Sequence, residues 1–107
     1  MSDPPLHWFQ VQSGAEPRIR VHPRISMKRP EITEEDVIAA VMGTLKRVER
    51  PNSDPPKWIG IGLDGRARLL EYIGVPIPDA DGLLVIHCMR ATKKSLKEVG
   101  LEGDRHG

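Results

Sequence analysis

A chain of 107 residues is long enough for one domain, and 38% apolar residues with one Phe and one Tyr predict a modest core of branched aliphatic side chains. A formal net charge of +1 argues against a protein that coats nucleic acid without specificity. No window has the length and apolarity of a membrane span, and residues 1–30 carry prolines and charges where a signal peptide needs an apolar stretch. We therefore expect a cytoplasmic protein with no membrane partner.

The predicted organisation is a flexible N-terminal segment (residues 1–17), a single domain (residues 18–100) and a disordered tail (residues 101–107). The N-terminal segment mixes prolines and a glycine with one apolar cluster around Trp8 and Phe9. These two aromatic residues would also suit a short edge strand or a hydrophobic plug, and the pattern leaves both open.

Residues 18–30 predict a short extended piece at 19–21 followed by a short helix. His22 is a candidate helix cap, Pro23 suits the first helical position, and Pro30 ends the helix. On that helix, two cations four residues apart share one face. The stretch contains no acidic residue, so we predict a basic patch formed by Arg18, Arg20, Arg24, Lys28 and Arg29.

Residues 32–45 carry the most complete helix signals in the chain. Thr33 suits the N-cap, Asp36 can complete a capping box, and further acidic residues favour the positive end of the helix dipole. An apolar stripe at helical spacing consists of Val37, Ile38, Val41, Met42 and Leu45. We expect its first four members to be buried against the sheet, at Leu70, Val85 and Ile86.

The second half of the chain predicts strands at 46–50 (an edge strand), 57–63, 66–75 and 83–89. Two glycines in the second of these suggest a bulge or a close backbone approach, and the last places His87 on the side of Val85 and Met89. Asp64-Gly65 is a hairpin signal, and Thr92 caps a final helix at 93–99. Without a crossover helix between these strands, the predicted class is α+β. Two N-terminal helices would pack on a small antiparallel sheet of about three to five strands, with a short C-terminal helix.

The sequence contains no motif typical of a metal site or a cofactor site. The four histidines and one cysteine do not have the spacing of a zinc site, and no HExxH, EF-hand or phosphate-loop pattern occurs. We predict no metal and no cofactor. Cys88, the only cysteine, lies in an apolar run and is expected to be a core residue, with no disulfide-linked partner.

The remaining candidates are cationic residues. Such a set can bind phosphates and stabilise a developing phosphorane charge, while a histidine can move the proton of a ribose 2′-OH. We predict catalytic roles for His22, Arg24, Arg68 and His87, and substrate binding by Lys28, Arg29, Arg90, Lys93 and Lys94. Each of these residues also has an ordinary structural interpretation. His22 would be a helix cap, His87 a hydrogen-bonded core histidine, and Lys93 and Lys94 part of a solvated helix face.

Three runs of residues share their pattern and order with a known family: residues 22–37 (HPRISMKRPEITEEDV), 64–71 (DGRARLLE) and 84–93 (LVIHCMRATK). They resemble the BrnT-type toxins of the RelE/ParE superfamily, which are small ribonucleases made together with an antitoxin. The resemblance covers about residues 20–99. It implies two N-terminal helices on an antiparallel sheet, metal-independent RNA cleavage, and neutralisation by a tightly bound cognate antitoxin protein.

The chain departs from that family at the end of its last strand. The family has a serine-alanine-arginine run ahead of Ala-Thr, whereas here Met89 stands in place of the arginine, with Arg90 beside it and His87 two positions earlier. Three functions therefore remain open. The chain is an RNA-cleaving toxin in which His87 and Arg90 substitute for that cation, a catalytically silent relative that binds nucleic acid, or a scaffold for a protein partner.

Overall fold

The computed structural model describes residues 18–77 and 82–101. In chain order these form β1 (Ile19–Val21), α1 (Arg24–Lys28), α2 (Glu34–Met42), β2 (Thr44–Arg50), β3 (Lys57–Leu63), β4 (Leu69–Ile77), β5 (Gly82–Arg90) and α3 (Lys93–Glu98). The predicted flexible segment at 1–17 and all of the predicted tail except Leu101 lie outside the described residues. No helix in the described ranges is long and apolar enough to cross a membrane.

The strands of the described chain form one mixed sheet in the order β1-β5-β4-β3-β2. Neighbours pair antiparallel except at one edge, where β1 runs parallel to β5 with Val21 opposite Val85. The predicted class, two N-terminal helices on an antiparallel sheet, is therefore wrong. A strand precedes the helices and joins the sheet, the helices are short, and the sheet holds most of the regular structure. Three residues are too few to show a strand period, so the sequence pattern does not reveal this parallel edge.

Helices cover both faces of the sheet. On one face, α1 and α2 contribute Ile25, Val37 and Val41 to the main core cluster, together with Leu70 and Val85 of the strands. This confirms part of the predicted contact between α2 and the sheet. On the other face, α3 covers a smaller cluster that contains Ile59, Ile61, Ile73, Leu96 and Val99.

The helix α2 keeps its predicted start but ends three residues early. The Thr33 hydroxyl accepts the backbone N–H of Asp36, and the Asp36 carboxylate accepts that of Thr33, which confirms the capping box. The chain leaves the helix after Met42 and enters β2, so Met42 and Leu45 are 48% and 52% exposed. The predicted burial of Met42 is therefore wrong, because it assumed a helix that continued to residue 45. Ile86, also predicted in the core, is only partly buried.

The short helix α1 begins at Arg24, so Pro23 occupies the cap and not the first helical position predicted for it. His22 also contributes to this end, since its Nδ1 accepts the backbone N–H of Arg24 at 3.1 Å. Ile25 is the buried residue of α1 and anchors the helix to the core. The cations on either side of Ile25 are therefore left at the surface.

A bulge in β5 decides which way His87 points. Ile73 lies opposite His87, whereas the next residue, Gly74, lies opposite Val85, so Ile86 is an extra residue without a partner in β4. Side chains alternate along a strand, and one inserted residue reverses the alternation beyond it. Val85 belongs to the core under α1 and α2, while His87 shares the α3 face with Ile73. The prediction that His87 lies on the side of Val85 is therefore wrong.

Candidate functional site

The helix α1 and the middle of β5 enclose a cleft of about 180 Å³. On the side of β1, no strand of the described chain pairs with β5 beyond Val85. Arg24 Nε donates instead to the Ile86 carbonyl at 3.1 Å, which satisfies a backbone acceptor at this open edge. The residues that line the cleft are Arg24, Ile25, Lys28, Arg29, Ile86, His87 and Cys88.

Within the part of the chain that the structure describes, no carboxylate neutralises the positive charge around this cleft. Among the described residues, Arg24, Lys28, Arg29 and Arg90 form no ion pair. The pairing of Arg90 with β4 places it on the same face of the sheet as α1. Arg90 lies four positions after Ile86 in β5, which corresponds to roughly 14 Å at about 3.4 Å per residue. We call Arg24, Lys28, Arg29 and Arg90 the cationic strip.

Arg68 lies outside this strip, in an ion-pair network at the start of α2. Its Nε donates to Asp64 at 2.7 Å, and its Nη1 donates to the carbonyl of Glu31 at 3.2 Å. Its Nη2 lies 3.0 Å from the Asp36 carboxylate without meeting hydrogen-bond geometry. The hydrogen bond with Asp64 raises the pKa of Arg68 above its usual range. The structure therefore does not bring this predicted catalytic residue to the cleft.

Asp36, Asp64 and Glu71 are buried carboxylates whose pKa values lie below the ordinary range. Burial alone would raise the pKa of Asp64, but hydrogen bonds from Arg68, through its backbone and its guanidinium, and from the Arg66 backbone lower it. The folded protein therefore holds these groups ionised. Their stabilisation is present above the unfolded pKa of about 4 and is lost as the pH falls through the folded pKa.

We expect the free energy of unfolding to be nearly constant above about pH 5 and to decrease below about pH 4. Asp64→Asn should lower the stability at neutral pH by about 1–3 kcal/mol, because charge-assisted hydrogen bonds are lost, and should weaken the pH dependence. Urea unfolding at each pH measures both effects, with Glu49→Gln as a control that removes one exposed carboxylate. A wild-type stability that stays flat down to about pH 3 would contradict this account.

His87 and Glu71 form a carboxylate–imidazole pair on the α3 side of the sheet. His87 Nε2 lies 2.8 Å from Glu71 Oε2, and Glu71 Oε1 accepts hydrogen bonds from the Thr92 N–H and hydroxyl. Burial would raise the pKa of Glu71, but hydrogen bonds from His87, Ser95 and Thr92 hold it below its usual value. Because an ionised Glu71 only accepts hydrogen bonds, His87 Nε2 carries a hydrogen, and in the neutral form of the ring Nδ1 is the proton acceptor.

Sequence reasoning did not identify Glu71 as the partner of His87. The two residues are sixteen positions apart, and only the register of β4 against β5 brings their side chains together. One signal was available, since an acidic residue between apolar neighbours in a buried strand needs a polar partner.

His22 lies at the start of α1, and its ring uses a different nitrogen for hydrogen bonding than the ring of His87 does. Its Nδ1 accepts the Arg24 N–H, so the neutral ring carries its hydrogen on Nε2. Such a ring can donate to a phosphate oxygen but has no free nitrogen to accept a proton. The structure thus separates the two predicted catalytic histidines, because the His87 imidazole lies on the opposite face of the sheet.

Lys93 and Lys94 are exposed in the first turn of α3, which Thr92 caps as predicted. A second cleft of about 150 Å³ lies beside this helix. Arg50 and Glu98, which both line it, form an ion pair at 3.0 Å. This cleft therefore has less uncompensated positive charge than the cleft under α1.

Cys88 is 1% exposed, and burial raises the pKa of its thiol to about 12. The thiol is therefore not a nucleophile at neutral pH, and its predicted place in the core is confirmed. Within residues 18–77 and 82–101, no group of three or more His, Cys, Asp and Glu side chains could hold a metal ion.

The chemistry of the cationic strip suits an anion with several charged oxygens. Guanidinium groups bind phosphate in a bidentate manner, and an ammonium adds a point charge. The strand β5, which contributes Arg90 to the strip, also carries His87, whose side chain is 29% exposed. Comparison of the chain with protein families, with curated proteins and with solved structures found no match.

Proposed function

We propose that this chain is an RNA-binding, BrnT-like toxin component that holds RNA phosphates on the cationic strip. The observation that supports this most is that no member of the strip pairs with a carboxylate among the described residues, whereas Arg66 and Arg68 both do. Unpaired cations along one sheet edge attract a polyanion, and phosphates that bind them release counterions. The resemblance to ribonuclease toxins favours RNA as that polyanion.

A toxin of this type has a cognate antitoxin protein, and we infer that this partner covers the same strip. Acidic side chains of the antitoxin would take the place of the phosphates, because charge complementarity steers and orients such interfaces. Met27, 78% exposed on α1, lies beside Lys28 and offers an apolar contact to a protein partner. Bound antitoxin would therefore exclude RNA.

Metal-independent RNA cleavage is the second candidate function, and the Glu71–His87 pair is the observation that favours it. His87 Nδ1 would take the proton of a ribose 2′-OH, the 2′ oxygen would attack the adjacent phosphorus, and the bond from phosphorus to the 5′ oxygen would break. The departing 5′ oxygen would receive a proton from the imidazolium or from water. The products would be a 2′,3′-cyclic phosphate and a 5′-OH end.

Lys28→Gln/Arg29→Gln tests the binding function, because neither side chain forms a hydrogen bond or ion pair within the described residues. We expect the double variant to bind a labelled single-stranded RNA at least about tenfold more weakly, since hydrogen bonds to charged groups contribute roughly 1.5 kcal/mol or more each. The slope of log K against log salt should decrease by about 0.7 for each cation removed. Fluorescence anisotropy at several salt concentrations measures both quantities.

The matched control is Lys46→Gln/Lys97→Gln, which removes the same charge from exposed positions in β2 and α3. We expect this control to bind within about twofold of wild type, because its lysines are outside the strip. Equal losses in the two double variants would mean that net charge alone governs binding, and the strip would then have no special role.

A further inference from the structure

Of the two residues of type Phe, Tyr or Trp in the described chain, Trp58 is partly buried and Tyr72 is 1% exposed. The Arg47 guanidinium lies 4.9 Å from the centre of the Trp58 ring. Arg47 forms no ion pair within residues 18–77 and 82–101. The two residues are diagonal neighbours on β2 and β3, since Arg47 lies opposite Gly60 and Trp58 opposite Glu49, and the cation lies against the ring.

The sheet register places this pair on the same face as α1. Trp58 is two residues from Gly60, which pairs with Tyr72 of the core under α1 and α2. Trp58 itself pairs with Gly74, and Gly74 pairs with Val85 at the edge of the bulge. Two strand spacings, or roughly 10 Å, therefore separate Trp58 from the part of β5 to which Arg24 is bonded.

Between Trp58 and Val85, β4 contributes Gly74, which is buried and has no side chain. A Cβ atom there would lie 2.7 Å from the side chain of Leu83, which is 2% exposed and belongs to the main core cluster. Leu83 therefore packs over Gly74, and β4 places no side chain directly beside Trp58.

We propose that Trp58, supported by Arg47, is a stacking platform for a base of single-stranded RNA whose phosphates lie on the cationic strip. This inference rests on the proposed RNA-binding function and adds the substrate class. A base is free to stack on a protein ring only where the strand is unpaired, because bases in a duplex are stacked on one another. Stacking tolerates all four bases, so the platform selects single strands and not a particular sequence.

The test compares a labelled oligouridylate with an abasic oligonucleotide of the same length and charge. Trp58→Leu should weaken binding of the oligouridylate by roughly 5- to 150-fold, the range for loss of one stacked base. It should leave binding of the abasic oligonucleotide within about twofold of wild type, because phosphate contacts do not involve the ring. Trp58→Phe should restore most of the affinity.

Arg47→Gln provides a second variant that leaves the tryptophan in place, and it should weaken binding of the oligouridylate more than binding of the abasic oligonucleotide. If Trp58→Leu and Arg47→Gln weaken both oligonucleotides equally, or neither, the platform does not exist even though the RNA-binding function stands. A wild-type protein that binds the two oligonucleotides equally also overturns the platform alone. A wild-type protein that binds neither overturns the proposed function, and this inference with it.

Discussion

Val41→Asp is expected to abolish cooperative folding. Val41 is 4% exposed and belongs to the main core cluster with Val37 and Leu70. A carboxylate at this position would be buried without a partner, at a cost of several kcal/mol or protonation of the group. Such a loss is a large part of the roughly 5–15 kcal/mol that stabilises an ordinary domain. Thermal unfolding followed by circular dichroism measures the effect.

Met42→Asp is the matched control for this prediction, because it introduces the same charge one residue later in the same last turn of α2. Met42 is 48% exposed, so we expect the variant to lose less than about 1 kcal/mol. Comparison of the two variants also distinguishes the observed helix, which ends at Met42, from the longer helix to Leu45 that the apolar spacing predicts. A Met42→Asp protein that is as unstable as Val41→Asp would contradict the observed end of α2.

His87→Gln is expected to have the largest effect on activity, if the chain cleaves RNA as the second candidate function states. Glutamine can still donate to Glu71 but cannot act as a general base near neutral pH, so the cleavage rate should decrease by roughly 100- to 10,000-fold. The measurement is the cleavage of a labelled RNA in the presence of a chelator. Glu71→Gln should also slow cleavage and change its pH profile, since it removes the carboxylate that orients the imidazole.

His22→Gln is the comparison variant, because His22 has no free ring nitrogen to accept a proton. We expect it to keep most of the activity. Loss of cleavage in folded His22→Gln with retention in His87→Gln would reverse the assignment of the two histidines. A wild-type protein that binds RNA without cutting it would exclude the second candidate and leave the binding function.

Local signals in the sequence predicted several elements well. The capping box of Thr33 and Asp36 depends on contacts three residues apart, and the strand at 57–63 matches β3 to the residue. The glycines of that strand indicated a close backbone approach, which occurs where Gly62 lies against the Ala40 carbonyl. Signals of this kind depend on short-range geometry, so they can be read without knowledge of the tertiary fold.

The remaining features depend on register and on pairs that are distant in sequence. The parallel edge rests on three residues of β1, and one inserted residue, Ile86, turns His87 towards α3. Arg68 looked like a free cation, but Asp64 and Asp36 neutralise it through the hairpin and the start of α2. Of the predicted catalytic residues, Arg24 and His87 line the cleft, but the His87 ring faces α3, and Arg68 lies in the ion-pair network at the start of α2.

Amide chemical-shift mapping with a short single-stranded RNA tests the cationic strip most directly. We expect the largest perturbations in α1 and its end, at residues 24–29, and at the open edge of β5, at residues 86–90. These perturbations should diminish as salt is raised, because counterion release drives the binding. Perturbations centred on α3, at residues 93–98, with the amides of α1 unchanged, would contradict the account.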